Sequence, residues 1–131
     1  MDFEAKIAEL GLLIPKPAKP AGSYKPCVIV DNIAYISGQG PLLEDGSFAK
    51  GKVGADVDLE TAQNHARLCG LAILSALKNE IGSINKVDQL IKLTGFVNCI
   101  ESFTQQPLVI NGCSNMMKDI FGETGVHARA A

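Results

Sequence analysis

The chain has 131 residues and a net charge of -2, with 47% hydrophobic and 20% charged residues. This length suits one domain with a single core, and the composition is that of a globular protein rather than a disordered one. Lysine and arginine are scattered singly among the acidic residues, so a nucleic acid is a poor candidate partner.

The N-terminal segment mixes charged and apolar side chains, without the uninterrupted apolar stretch of a signal peptide or a membrane span. We therefore expect a cytoplasmic protein. The apolar residues of this segment recur at intervals of three and four: Phe3, Ile7, Leu10 and Leu13. The spacing predicts an amphipathic helix ending near residues 11–15, and the prolines that follow predict an extended arm.

Two β-rich runs follow the arm. Residues 27–30 and 33–37 are separated only by Asp31-Asn32, a pair that tolerates the positive φ of a tight turn. A hairpin is therefore predicted. Gly38 and the glycine and proline after it end the second strand, and a short third strand is expected around residues 48–53.

Two longer helices are expected in the rest of the chain. Asp58 is a suitable N-cap for a helix from Leu59 to about Ile81, with Gly82 as its C-terminal stop. A β-rich stretch at 87–99 carries apolar groups on both faces, and a second helix is expected from about 104–107 to 121. A final strand begins at about residue 126. The order β-β-β-α-β-α-β predicts an α+β fold of two half-units, each covering a sheet with one helix.

The chain contains six soft metal-ligand candidates: Cys27, Cys69, Cys99, Cys113, His65 and His127. No cysteine pair has CxxC spacing and no close cluster forms, so we expect reduced thiols and no metal. Free cysteines are usually buried, and a nucleophile needs an activating base. Packing is therefore the favoured role of the cysteines.

Four separated segments resemble the reactive intermediate deaminase (Rid/YjgF) family. They are Gly22-Ser23-Tyr24, Ile36-Ser37-Gly38-Gln39, Val109-Ile110-Asn111-Gly112 and His127-Ala128-Arg129-Ala130-Ala131. The match runs from about Tyr24, and residues 1–20 resemble a helical extension found in one branch of the family. The whole chain is thus interpreted as one Rid/YjgF-like domain, 1–131.

The resemblance implies a fold like that of bacterial chorismate mutase, with a sheet covered on one face by two helices. It also implies a homotrimer with three active sites between subunits, using neither cofactor nor metal. A sheet with helices on one side leaves its other face in need of cover. Apolar residues expected to supply that interface are Ile29, Ile33, Tyr35, Leu93 and Val97.

The same resemblance assigns a substrate site. Arg129 would grip a substrate carboxylate, for which its planar fork of donors is well suited. The other assigned groups are Tyr24 and Asn111 lining the pocket, Ser37 and Gly38 in its floor, and the backbone amide of Ala131 beside the carboxylate. Plainer alternatives as surface, rim or turn residues exist for Arg129, Tyr24, Asn111 and Ser37. His127 is a further candidate, which faces the same side as Arg129 only if their strand is regular.

The implied activity is hydrolysis of small reactive imines or enamines to 2-keto acids and ammonia, with a positioned water attacking the C=N carbon. Two alternatives stay open: a non-catalytic module that binds small carboxylates, and an endoribonuclease. The chain lacks a clear catalytic histidine pair and a basic stacking platform for RNA. The family's last strand continues to a glutamate that helps to position the water, so either this sequence is cut short or the protein lacks that acid. We expect the native polypeptide to extend beyond Ala131, because a strand that stops there would leave backbone groups of its neighbour unpaired.

Overall fold

The computed structural model describes residues 2–131, which form an α+β fold. Its helices are α1 (Phe3–Glu9), α2 (Leu59–Ile81) and α3 (Gln106–Phe121). Its strands are β1 (Cys27–Val30), β2 (Ile33–Ile36), β3 (Lys92–Thr94) and β4 (Ala128–Ala130). Short 3-10 turns, Ile84–Lys86 and Gly122–Gly125, follow α2 and α3. The predicted α+β class and the succession of two long helices among short strands are confirmed.

The predicted ends of α2 are confirmed. The Asp58 carboxylate accepts a hydrogen bond of 2.8 Å from the Thr61 amide, which satisfies one of the free amides of the first turn. Gly82 ends the helix with a φ of 90°, a conformation that glycine adopts without steric cost. The third helix begins at Gln106, so that Pro107 lies in the first turn, where a missing amide hydrogen is tolerated.

The predicted hairpin is also confirmed. Asp31 and Asn32 have φ angles of 51° and 62°, as a two-residue turn of this hand requires. The register pairs Cys27 with Ile36 at the open end of the hairpin and Val30 with Ile33 beside the turn. Because paired residues share a face, Cys27 and Ile36 bind the hairpin to the core while its far end projects into solvent.

The expected third strand is wrong. Between residues 40 and 60 only isolated bridges form, such as those joining Leu42 to Phe48 and Val53 to Cys99. Gly51 and Gly54 both have positive φ, and the Asp56 carboxylate accepts from the Lys52 amide at 2.6 Å. These turn conformations interrupt the extended backbone that a strand needs. The strands form two separate pairs, β1–β2 antiparallel and β3–β4 parallel, rather than the one sheet that the resemblance implied.

Residues 92–97 alternate between the core and solvent. Leu93 and Val97 pack against the core, whereas Phe96 is 92% exposed. The expectation that Leu93 and Val97 supply an intersubunit surface is therefore wrong, because the two-residue period of the strand turns them inward. Ile29, Ile33 and Tyr35 are exposed as expected, and their coverage by a partner stays a prediction.

The core is centred on the contact between α2 and α3, where the backbones approach closely at Gly112. A methyl group added at Gly112 would lie 2.0 Å from the Gln63 carbonyl oxygen. Only glycine fits that approach. The most deeply buried side chains, Ile84, Met117 and Ile120, lie in or beside this helix layer.

Two interactions hold the N-terminal helix α1 on the core: an aromatic contact and a partly buried carboxylate. The Phe3 and Phe121 rings meet edge to face with centroids 4.8 Å apart. Glu4 pairs with Lys78 at 3.0 Å and accepts from the Ile84 amide at 3.2 Å. Burial raises the pKa of Glu4, but the hydrogen bonds from Lys78 and the Ile84 amide outweigh it, and the pKa lies below its ordinary value.

We expect Gly112→Ala to lower the free energy of unfolding by about 2–3 kcal/mol, because the added methyl group must push α3 away from α2. Asn115→Ala is the matched control, since Asn115 is exposed one turn further along α3. Urea unfolding followed by circular dichroism measures both variants. Equal stability of Gly112→Ala and the wild type would contradict the proposed close contact.

We expect Glu4→Gln to lower the free energy of unfolding at neutral pH by about 1–2 kcal/mol, since it removes a charge that accepts several hydrogen bonds. The folded-state pKa is depressed, so this stabilisation is present above the ordinary value of 4.5 and is lost as the pH falls through the folded-state pKa. The difference between variant and wild type should therefore shrink in acid. Glu9→Gln is the control, because the Glu9 side chain is 71% exposed.

Candidate functional site

Arg129 extends from β4 toward α3, where two side chains hold one nitrogen of its guanidinium. Nη1 donates to Asn111 Oδ1 at 2.7 Å and to Ser114 Oγ at 3.2 Å. The Nε and Nη2 atoms have no hydrogen-bond partner among residues 2–131. These two nitrogens form one edge of the fork, and the side chain is exposed. The guanidinium is thus held at one corner with an edge free for a carboxylate.

The face of α3 that meets β4 explains how Asn111 and Ser114 reach the same nitrogen. Residues three apart on a helix are neighbours on its surface, so both side chains project toward β4. Gly112 lies between these two residues in sequence, but it faces the backbone of Gln63 on α2. The helix therefore uses one face for packing and the adjacent face for Arg129.

His127 joins the same group of side chains. Its Nε2 lies 3.0 Å from Ser114 Oγ, and its Nδ1 lies 2.7 Å from the Gly125 carbonyl oxygen. A carbonyl only accepts, so Nδ1 carries a proton, and in the neutral ring Nε2 then accepts from the Ser114 hydroxyl. His127 and Arg129 both contact Ser114 and so face the same side, although His127 lies just before β4 and not within the strand.

A second group of assigned residues lies at the open end of the hairpin. Tyr24 is 52% exposed, and its hydroxyl accepts from the Ala21 amide at 3.2 Å. The Ser37 hydroxyl donates to the Lys25 carbonyl at 2.6 Å and so ties the two strand ends together. A methyl group added at Gly38 would meet no atom within 4 Å, so the backbone there is open to an approaching molecule.

The structure therefore brings together only some of the assigned residues. Arg129 contacts Asn111, and Ala131 follows β4 in an exposed position. No hydrogen bond within residues 2–131 joins this group to Tyr24, Ser37 or Gly38. The hairpin packs on α2, whereas β4 pairs with β3. Ser114 was missed from the sequence, although its position three residues after Asn111 places it on the same helix face.

The cysteines lie away from this network. Cys27 and Cys113 are buried, while Cys69 and Cys99 are partly buried. Burial raises the pKa of Cys69 to about 11 and that of Cys113 to about 12, so their nucleophilic thiolate forms are scarce near neutral pH. Residues 2–131 contain no cluster of three or more histidine, cysteine, aspartate or glutamate side chains that could bind a metal ion.

A cleft of about 240 Å³ lies among the helices rather than beside β4. Its lining includes Leu12, Arg67, Asn115 and Asp119, and none of the residues assigned to the substrate site. Asn115 lies one turn after Asn111 on α3 and lines this cleft, whereas Asn111 contacts Arg129. This cleft therefore does not include the assigned site, where the Arg129 side chain is exposed.

The comparisons with known proteins agree on one family. Residues 4–131 match the family model described as "YjgF/chorismate_mutase-like, putative endoribonuclease", and the chain belongs to this family. It is similar to "Protein TCP17" of Trypanosoma cruzi, with 36% identity over 128 residues, covering 97% of this chain and 80% of that protein. None of the helices in residues 2–131 combines the length and hydropathy that a membrane span requires.

Two crystal structures have closely similar folds. The protein Atu1372 of Agrobacterium tumefaciens, described as of unknown function, has a TM-score of 0.87 and 43% identity, covering 98% of this chain and 78% of that one. A protein of Shewanella oneidensis described as a "putative endoribonuclease" has a TM-score of 0.94 and 32% identity, covering 98% and 85%. These matches support the YjgF-type fold implied by the sequence resemblance.

We expect Cys69 and Cys113 to resist alkylation by iodoacetamide at about pH 8, because burial keeps their thiols protonated. Both should react fully after unfolding in guanidinium chloride, which serves as the control. Peptide mass spectrometry locates the label. Rapid labelling of Cys113 in the folded protein would instead indicate an accessible, activated thiol.

Proposed function

We propose that the protein hydrolyses small reactive imines, the tautomers of enamines, to 2-keto acids and ammonia. The observation that carries this proposal is the guanidinium of Arg129, held at Nη1 by Asn111 and Ser114 with its Nε and Nη2 free. That free edge matches the spacing of a carboxylate, which it binds through two parallel hydrogen bonds. A 2-imino acid carries its carboxylate directly beside the C=N carbon.

In this proposal the arginine contributes orientation more than chemistry. Binding the carboxylate fixes the position of the adjacent C=N carbon, so that a water molecule attacks it in a local rather than a bimolecular encounter. The water oxygen forms the new C–O bond and loses its protons, the nitrogen gains protons, and the C–N bond breaks to release ammonia. The carbonyl of the 2-keto acid remains. No redox change occurs, and the reaction requires neither cofactor nor metal.

The second group of residues completes the proposed site. Tyr24 lines it, Ser37 and Gly38 form its floor, and the Ala131 amide supports the carboxylate. Because one chain leaves the hairpin group and the Arg129 group unconnected, we propose that they meet across the interfaces of a homotrimer in the cytoplasm. The exposed apolar side chains of the hairpin, including Ile33 and Tyr35, supply material for such an interface.

Endoribonuclease activity is the alternative that the descriptions of the family and of the Shewanella oneidensis structure suggest. Metal-free cleavage of RNA uses positioned acid and base groups, and His127 is the one histidine whose hydrogen bonds join the Arg129 network. A non-catalytic carboxylate-binding module is the other alternative. Freshly generated 2-iminopropionate, a labelled RNA and pyruvate separate the three functions by ammonia release, RNA cleavage or binding alone.

We expect Arg129→Ala to lower kcat/KM for 2-iminopropionate by at least about 100-fold, because it removes both the charge and the fork that bind the carboxylate. Arg129→Lys should recover little, since an ammonium on a flexible stem attracts the substrate without orienting it. Coupled detection of ammonia measures both variants.

Arg67→Ala is the matched control for Arg129→Ala, because Arg67 is the other arginine in the chain and donates to Asn64 on α2. It should retain the wild-type rate. Light scattering should show that all three variants keep the trimeric mass of the wild type. A folded, trimeric Arg129→Ala protein with wild-type deamination would refute the proposed site.

A further inference from the structure

We propose that Ser114 and His127 form a positioning pair that fixes the guanidinium of Arg129 for carboxylate binding, a role that rests on the proposed function. The pair is one continuous chain of hydrogen bonds. The Gly125 carbonyl accepts from His127 Nδ1 at 2.7 Å, His127 Nε2 lies 3.0 Å from Ser114 Oγ, and Ser114 Oγ accepts from Arg129 Nη1 at 3.2 Å.

The direction of each bond follows from the donors and acceptors available. A serine hydroxyl has one hydrogen and two lone pairs, so it can present either to a neighbour. With His127 Nε2 accepting the hydrogen, a lone pair of Ser114 faces Arg129. Without that acceptor, the hydroxyl is free to turn its hydrogen toward the cationic guanidinium, where it repels rather than binds. His127 therefore acts on Arg129 through Ser114.

The far end of the chain of hydrogen bonds is closely packed. Gly125 is buried in the 3-10 turn after α3, and a methyl group added there would lie 2.4 Å from the Met117 carbonyl oxygen. The turn is thus held tightly against α3. Its carbonyl fixes the proton of His127 on Nδ1 and leaves Nε2 as the acceptor.

At the other end of the chain of hydrogen bonds, Ser114 restricts the Arg129 side chain, which is otherwise free to move. An exposed arginine loses considerable rotamer entropy when it binds a ligand. Asn111 and Ser114 restrict Nη1 from two directions before any ligand arrives. The Nε–Nη2 edge is then presented in one orientation, and this preorganisation favours planar carboxylates that lie flat against that edge.

A serine bonded to a histidine that is itself oriented by a third group is also the arrangement of an activated nucleophile. The two roles differ in what His127 must do. A positioning residue needs only to accept a hydrogen bond, which a glutamine carbonyl also does. A general base must take up a proton, which glutamine cannot. Substitution of His127 by glutamine therefore distinguishes the two roles.

The test compares Ser114→Ala, His127→Leu and His127→Gln by three measurements. Nitrogen-15 relaxation of the arginine Nε–H groups reports how firmly Arg129 is held, with Arg67 as the internal reference in the same spectrum. Calorimetric titration with pyruvate gives the Kd of a small 2-keto acid. Ammonia release from 2-iminopropionate gives kcat and KM separately.

We expect Ser114→Ala and His127→Leu to release the Arg129 Nε–H group into fast motion without changing that of Arg67. The Kd for pyruvate and the KM should both rise about tenfold, as expected when a hydrogen bond to a charged group is lost, while kcat changes little. His127→Gln should recover the rigid Arg129 signal and bring Kd and KM to within about threefold of wild type.

Unchanged Arg129 motion in Ser114→Ala would overturn the positioning role, whatever the activity of the protein. A His127→Gln variant with a rigid Arg129, a normal Kd and a kcat reduced about 100-fold would also overturn it, in favour of proton transfer by His127. If the wild type releases no ammonia but the relaxation and pyruvate data follow the expected order, the pair stands and deamination fails.

Discussion

The close contact between α2 and α3 at Gly112 is the constraint on which the rest of the structure depends. The backbone of Gln63 occupies the space that any larger residue at position 112 would need. This contact fixes the rotation of α3 about its axis. With one face of the helix against α2, the adjacent face carries Asn111 and Ser114 toward β4. The geometry around Arg129 thus follows from helix packing in the core.

The network around Arg129 combines a rigid support with an unsatisfied edge. Hydrogen bonds from the guanidinium to Asn111 and Ser114 fix its position, and Nε and Nη2 remain available. This division suits a site that must orient a carboxylate and leave the neighbouring carbon free for water. One chain alone does not complete the proposed site, since Tyr24 and Ser37 belong to the separate hairpin group. The proposed trimer joins the two groups.

Local sequence signals predicted much of the fold because they act within a few residues. The cap at Asp58, the stop at Gly82 and the turn at Asp31-Asn32 each depend on the backbone preferences of the residue itself. The prediction of a third strand was wrong because Gly51 and Gly54 have positive φ. The β-rich composition around them did not indicate this conformation.

The site was only partly predictable, because its contacts join distant segments. The family resemblance pointed to Arg129 and Asn111, which the structure places 2.7 Å apart at Nη1 and Oδ1. The contacts of Ser114 require that β4 approaches α3. The residues that Ser114 contacts, His127 and Arg129, lie 13 and 15 residues further along the chain, and no local sequence pattern indicates this approach. The inward direction of Leu93 likewise follows from which face of β3 meets the helices.

In the proposed site, Arg129 binds a carboxylate through its Nε–Nη2 edge while Nη1 stays bonded to α3. A crystal structure of the protein with bound pyruvate tests it most directly. We expect two parallel hydrogen bonds from Nε and Nη2 to the carboxylate, with Nη1 still bonded to Asn111 and Ser114. Pyruvate bound elsewhere, with no contact to Arg129, would contradict this binding mode.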